Sequence, residues 1–352
     1  MSLAALERRS VTFELPTALE AREPPEARGL RRDQVRLMVG RRSDGAITDH
    51  LFCELPEILE PGDLVVINVS ATVPAALTGR RSDGAAVKVH FATRAPALGE
   101  RWRVIEVRSA DGSSPASARS GERLALSGGA TLELVAPYAR SIRLMLARLD
   151  RATGSVDDYL TAHGSPIRYG YASGDWPLAA YQNVYAGAPG SAEMPSAGRP
   201  FTDALITRLV AKGILLAPLT LHTGVSSPER HEPPFPEWFS VPATTAALVR
   251  AAHTSGGRVI AVGTTVVRAL ESVVDPAGEI CGGSGWTNRI ITPENPPQVV
   301  QGLITGWHEP EASHLMMLEA LTGPELLHHS YRAALARGYR WHEFGDSHLV
   351  LP

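Results

Sequence analysis

Cysteine is nearly absent: Cys53 and Cys281 are the only two, far apart and outside any C-x-x-C spacing. That excludes a disulfide framework, a zinc knuckle and a thioredoxin-like centre, and a reducing compartment is the simple reading. Long apolar runs are missing too. The longest fall far short of a membrane span, and residues 1–9 hold no apolar stretch of signal-peptide length. The chain is therefore expected in the cytoplasm, with no membrane partner. Charge of one sign is also lacking, since 34 Lys and Arg stand against 37 Asp and Glu, a net charge of -3. No overall basic field draws the chain onto nucleic acid, so any RNA contact must be local.

Several motifs are absent, and whole reaction classes go with them. There is no G-x-G-x-x-G after a strand, no G-x-x-x-x-G-K-[ST], no G-x-S-x-G and no H-E-x-x-H. His231-Glu232 and His308-Glu309 lack a second histidine one helical turn on, and proline follows each pair. Neither reads as a helical metal site. His328-His329 reads as an exposed helix face.

What is present is an ordinary globular composition, 44% apolar and 20% charged, over 352 residues. That length exceeds what one hydrophobic core usually supports, so two domains, or one with a sizeable insertion, are expected. Residues 11–16 read as a short extended segment and the Pro-rich residues 23–28 as a loop. Pro61-Gly62-Asp63 is turn chemistry, and Leu64-Val65-Val66-Ile67-Asn68 after it has the β-branched density of a buried strand. From about Ala75 to Arg168 the texture changes to short period-two segments such as Val87-Lys88-Val89-His90-Phe91, separated by Gly, Ser and Asp. This suggests an inserted antiparallel barrel or sandwich, with residues 111–120 as a mobile loop.

From about Phe201 strand and helix signals alternate, as in an α/β layer. Thr202 caps a predicted helix to Ala211, and a strand follows over 214–221. A second helix spans 244–254. Arg258-Val259-Ile260-Ala261-Val262-Gly263 is then a strand whose turn, Thr264-Thr265, caps a third helix.

That last unit carries the most chemistry. A buried strand delivers Gly263 and two hydroxyls, Thr264 and Thr265, onto a helix start whose free N–H groups and positive dipole end suit a carboxylate. Arg268 is placed to face the same ligand, with Glu271 one turn on; the competing reading is an Arg268–Glu271 surface pair. His222 closes a strand, and His308 follows the apolar run ending in Trp307. Each is either a proton-transfer group or a structural histidine bonded to backbone. Asp346, after Gly345, reads as turn chemistry.

Taken in order, these segments resemble the S-adenosylmethionine:tRNA ribosyltransferase-isomerase family of queuosine biosynthesis. The resemblance runs nearly end to end. It is carried by Glu14-Leu15-Pro16 with Arg22-Glu23-Pro24, Pro61-Gly62-Asp63-Leu64 with Asn68, Tyr181-Gln182-Asn183-Val184-Tyr185-Ala186, and Pro195-Ser196-Ala197-Gly198 with Phe201-Thr202. It continues in Leu221-His222-Thr223-Gly224, residues 257–272, Gly285-Trp286-Thr287, His308-Pro310-Ser313 with Leu315-Met316-Met317-Leu318, and Gly338-Tyr339 with Gly345-Asp346.

The resemblance implies an α/β catalytic domain, residues 1–75 and 169–352, with an inserted small antiparallel β-barrel domain, 76–168. It implies a transferase and isomerase that moves the ribosyl moiety of S-adenosylmethionine onto 7-aminomethyl-7-deazaguanine in tRNA. Epoxyqueuosine forms, adenine and methionine leave, and neither a metal nor a tightly bound cofactor takes part. His222, His308 and Arg268 become the catalytic candidates. Asn68, Tyr185, Ala197, Gly198, Phe201, Thr223, Gly224, Gly263, Thr264, Thr265, Glu271 and Asp346 become substrate-binding candidates, and Trp286 a stacking face.

The chain departs from the family pattern at Val69 and Ala71, which replace an acid and an arginine, at Arg199-Pro200, which replace a leucine and a histidine, and at Ser226-Ser227. These departures keep two other readings open: a paralogue that serves a small-molecule acceptor or simply cleaves S-adenosylmethionine, and a catalytically silent nucleoside-binding protein. Nothing in the sequence sets an oligomeric state.

Overall fold

The computed structural model describes residues 11–139, 141–150, 154–225, 234–310, 312 and 314–352. Residues 1–9, Ser226-Ser227, His231-Glu232 and Ser313 of the sequence reading lie outside the described residues.

The strands, in chain order, are β1 (Arg36–Arg41), β2 (Ile47–Leu51), β3 (Leu64–Asn68), β4 (Ser70–Thr72), β5 (Ala76–Arg80), β6 (Ala86–Arg94), β7 (Trp102–Arg108), β8 (Arg123–Leu126) and β9 (Thr131–Pro137). They continue as β10 (Leu144–Asp150), β11 (Ala188–Ser191), β12 (Leu215–Leu221), β13 (Glu237–Val241), β14 (Val259–Val262), β15 (Gly283–Thr287), β16 (Gly302–Gly306) and β17 (Ser347–Leu351). Nine form one sheet in the order β15-β13-β12-β3-β14-β16-β17-β1-β2. At its centre β12, β3, β14 and β16 run parallel, while β13 and β17 run antiparallel to their neighbours β12 and β16.

Every residue of β3 and β14 is buried, as expected of strands covered on both faces. The two faces follow the period of the strand. Leu64 and Val66 join Ala261 and Leu303 in one core, while Val65 and Ile67 join Ile260 and Ile304 in the other. The helices Ala243–Thr254, Thr264–Glu271, His314–Thr322 and Pro324–Ala336 cover the first face, and Asp203–Ala211 covers the second. No described helix is long and apolar enough to cross a membrane.

The inserted β texture closes into an antiparallel six-stranded barrel, β10-β7-β6-β5-β8-β9, filled by its own apolar core. The helix Val156–His163 packs Val156 and Leu160 into that core and begins at Ser155, whose hydroxyl accepts from Asp158 N. The α/β sheet with an inserted barrel is thus the fold class read from the sequence.

Some local expectations change. Residues 11–16 form no strand, although Val11 is buried in the core. Pro25–Arg28 is a 3-10 turn rather than a loop, because a proline is tolerated at the first position of a helical turn. Within residues 111–120, read from the sequence as a mobile loop, Arg108 donates to Gly112 O at 2.8 Å and Ser113 O at 3.1 Å. The helix at Thr264 begins from Gly263 at φ 96°, with no side-chain cap, so neither threonine is the cap.

Glu271 is the largest correction here. It is 0% exposed and its carboxylate accepts from Gln298 N, Val299 N and Val300 N at 2.9–3.2 Å, so it is neither a ligand group nor half of a surface pair. It anchors the segment leading into β16. Glu271→Ala leaves three buried N–H groups unpaired and is expected to cost about 3 kcal/mol in urea unfolding. A loss below about 1 kcal/mol would show that the segment is held by other contacts.

Candidate active site

Parallel pairing puts the carboxyl ends of β3, β12, β14 and β16 at one sheet edge, where open α/β sheets hold their ligands. Asn68, His222–Gly224, Gly263–Thr265 and Trp307–His308 therefore emerge together. The antiparallel β13 and β17 start at the same edge, which brings Glu237 and the His342–Glu343 turn there. Between this edge and the barrel lies a cavity of about 770 Å³, whose wall includes Thr223, Gly224, Gly263, Thr264, Thr265, Arg268, Ala197 and His308.

The helix start at Gly263–Thr265 lies on the cavity wall. Asn68 braces it from behind. Its Nδ2 donates to Leu221 O at 2.8 Å and reaches Thr265 Oγ1 at 3.5 Å, and its Oδ1 accepts from Ser70 N and Leu221 N. All of its polar capacity goes to the scaffold, so Asn68 supports the site without lining it.

Arg268 is on the wall but is heavily committed. It pairs with Glu237 and donates to Arg289 O, Phe235 O and Thr287 O at 3.1–3.2 Å. Glu237 in turn accepts from Gly224 N at 2.8 Å. The pair ties the helix to the mouth of β13, which makes Arg268 a positioning group first.

The two histidine candidates separate. His308 lines the cavity, bonds Thr305 Oγ1 through Nε2 at 2.8 Å and stacks on His314 at 4.7 Å. Burial, with His314 and His348 nearby, pulls its pKa well below the ordinary value, so the ring is neutral at neutral pH. His222 is turned into the scaffold. Its Nδ1 meets Ser70 Oγ at 2.8 Å, its ring stacks on Trp238 at 5.1 Å, and it presses so closely on Gly190 that a Cβ there would sit 2.5 Å from it.

Five other candidates stand off the wall. Tyr185, Gly198 and Phe201 form a packing group behind Ala197. The Tyr185 hydroxyl lies 2.0 Å from where a Cβ on residue 198 would stand, which is why glycine is there. Asp346 accepts from Arg36 N and Arg340 N at 2.8 Å each and organises a turn. Trp286 is 39% exposed on β15 opposite Trp238 and does not border the cavity. The departure positions Val69, Ala71, Arg199 and Pro200 are also off this wall. Arg199 is buried and paired with Glu26 at 2.9 Å.

Sequence reasoning missed half of the site. Glu20, Tyr169, Tyr171, Tyr181, Glu193, Glu237, Glu309, His314, His342 and Glu343 all border the cavity. Most lie in irregular segments, where no periodicity flags them. Glu309 drew attention only as a failed metal pair with His308.

Comparison with known proteins bears on the family and the fold. The family model described as "Queuosine biosynthesis protein" matches residues 8–350. The S-adenosylmethionine:tRNA ribosyltransferase-isomerase of Symbiobacterium thermophilum is 36% identical over 349 residues, 96% of this chain and 98% of that one. The protein of the same name from Thermus thermophilus is 35% identical over 350 residues, with the same two shares. Among solved structures, the crystal structure of S-adenosylmethionine tRNA ribosyltransferase from Thermotoga maritima superposes with a TM-score of 0.54 at 29% identity, covering 97% of this chain and 100% of that one.

The buried imidazoles make a stability prediction. Burial is the leading cause that lowers His222, His314 and His342 to about 4, His90 and His348 to about 3, and His308 in the same direction. Each takes up a proton near pH 6.5 when unfolded but resists it when folded, so their contribution is complete above about pH 6.5 and lost as pH falls toward 4. Glu309, Glu343 and Asp346, raised by burial, act in the opposite sense but are fewer. Tm is expected to be level from about pH 7 to 8 and to drop steadily below about 6.5. A Tm unchanged down to about pH 5 would contradict the assignment of neutral buried rings.

Proposed function

The chain belongs to the queuosine biosynthesis protein family, and from that premise we propose how its cavity works. The protein is an S-adenosylmethionine-dependent ribosyltransferase-isomerase. It transfers and rearranges the ribosyl moiety of S-adenosylmethionine onto 7-aminomethyl-7-deazaguanine in tRNA, giving epoxyqueuosine and releasing adenine and methionine. A small-molecule acceptor or a silent binding protein is not favoured, since the departures that motivated them at Val69, Ala71, Arg199 and Pro200 stand off the cavity wall.

The observation that carries the site reading is the helix start at Gly263–Thr265, uncapped by any side chain and open to the cavity. Free N–H groups and the positive dipole end at this point hold the amino-acid carboxylate of the donor. The Thr264 and Thr265 hydroxyls are within the same reach. Arg268 fixes this bend relative to Glu237 and Gly224 rather than gripping the ligand alone.

The sulfonium of the donor acidifies the neighbouring 5′ carbon, so one neutral base on the wall can begin the reaction. His308 fits that role, because its ring is held neutral and its Nε2 is oriented by Thr305. Chemistry drawn this way calls for no metal and no tightly bound cofactor. The tRNA supplies its modified base to the cavity from the solvent side.

Two substitutions test the assignment. Thr264 occupies the first helical position after a residue at ψ 151°, so Thr264→Pro removes one N–H donor while keeping the helix. Donor affinity by calorimetry is expected to fall about ten-fold or more with Tm little changed; unchanged affinity would place the carboxylate elsewhere. His308→Gln is expected to lower adenine release about 100-fold while donor binding persists. Full activity in that variant would remove His308 from the proton transfer.

A further inference from the structure

One part of the cavity wall has no role in the donor chemistry. Tyr171 and His342 stack face to face, 3.7 Å between centroids at 8°. The Tyr171 hydroxyl donates to Glu343 Oε2 at 2.5 Å, and His342 lies 3.7 Å from Glu309 and 4.0 Å from Glu20. These residues come from four separate segments: the N-terminal stretch, the connection after the barrel, the exit of β16 and the approach to β17. All of them border the same cavity.

The charge balance of this cluster is one-sided. Elsewhere on the wall Arg268 is met by Glu237 and Arg108 by Glu106. Glu20 has Arg22 at 3.5 Å. The charge of Glu309 acts on Glu343 and that of Glu20 on Glu309, and no arginine or lysine stands at ion-pair distance from Glu309 or Glu343 among the described residues. A second, independent observation marks a ligand position. The Tyr181 hydroxyl and His342 Nε2 are buried on this wall, in side chains 3% and 6% exposed, with no hydrogen-bond partner. Buried polar groups are seldom left unpaired unless something else completes them.

Resting on the reaction assigned above, we propose that this cluster is the acceptor subsite: the aminomethyl ammonium of the deazaguanine binds between Glu309 and Glu343, and Glu343 takes its proton. An N–H bond breaks, its electron pair stays on nitrogen, and an O–H bond forms on Glu343. The neutral amine then forms a bond to the anomeric carbon of the sugar as the glycosidic C–N bond to adenine breaks, and adenine leaves with that electron pair. The Tyr171–His342 stack supplies an aromatic edge to the base, and Tyr181 and His342 Nε2 offer a donor and an acceptor to its polar rim.

The environment suits a proton acceptor. Burial pushes Glu343 above the usual carboxylate range; Glu309 adds to the rise, while Tyr171 and the more distant Arg199 oppose it. Burial and Glu20 do the same to Glu309. Such carboxyls lie closer to the working pH of a general base than exposed ones do.

The test uses the full chain with S-adenosylmethionine and tRNA carrying either the aminomethyl base or the uncharged N-acetyl form of that group. Glu343→Gln is expected to keep donor affinity, to lose about 100-fold in turnover, and to lose the acid limb of the pH profile of kcat/KM for tRNA. Glu309→Gln, whose side chain is 46% exposed and so less exposed to a folding defect, is expected to abolish the wild-type preference for the charged over the acetylated tRNA in a binding assay. Tyr171→Phe is expected to shift the acid limb without removing it. Retention of the limb in Glu343→Gln, or of the charge preference in Glu309→Gln, would overturn the subsite. Failure of the wild-type protein to release adenine with either tRNA would instead overturn the reaction on which the proposal rests.

Discussion

Parallel pairing of β12, β3, β14 and β16 is the constraint on which the site depends. Strands that share a direction must discharge their loops at one edge, so a glycine-threonine bend, a histidine after β16 and the segment after β12 meet although they are far apart in sequence. The antiparallel neighbours β13 and β17 contribute their starting ends to the same edge. Glu237, His342 and Glu343 are there for that reason alone. The barrel then closes over the edge, and a cavity is left where sheet and barrel fail to fill the space between them.

Burial governs the chemistry of that cavity. Desolvation keeps the imidazoles of His308, His314 and His342 neutral and lifts the carboxyls of Glu309 and Glu343. The first shift leaves the histidines as neutral rings with a free lone pair, and the second moves the two carboxyls up from the ordinary acidic range toward the working pH. Where charge must persist, it is paired, as in Arg268 with Glu237 and Arg199 with Glu26. These pairs set the angles of segments, and their loss would disturb the wall before any ligand was touched.

Several polar residues that look like ligand groups are used up by the backbone. Asn68 serves Leu221 and Ser70, Glu271 serves residues 298–300, and Asp346 serves Arg36 and Arg340. Each holds an irregular segment that has no ladder of its own, and unmet N–H groups inside a protein are costly. Such residues share a motif with the true wall residues because they fix the same loops, and spacing cannot separate the two kinds.

The sequence by itself determined the layered sheet, the inserted β domain and the Gly263–Thr265 bend, because strand burial, period-two alternation and turn chemistry are local properties of consecutive residues. It also marked His308 and Arg268 as residues of interest. Only the tertiary structure decided that His222 faces Ser70 and Trp238, that Arg268 answers to Glu237 and not to Glu271, and that Tyr171, Glu309, His342 and Glu343 share a wall. Those facts turn on which strand ends coincide and which way side chains point across loops, and both are set by long-range pairing that leaves no periodic trace in the chain.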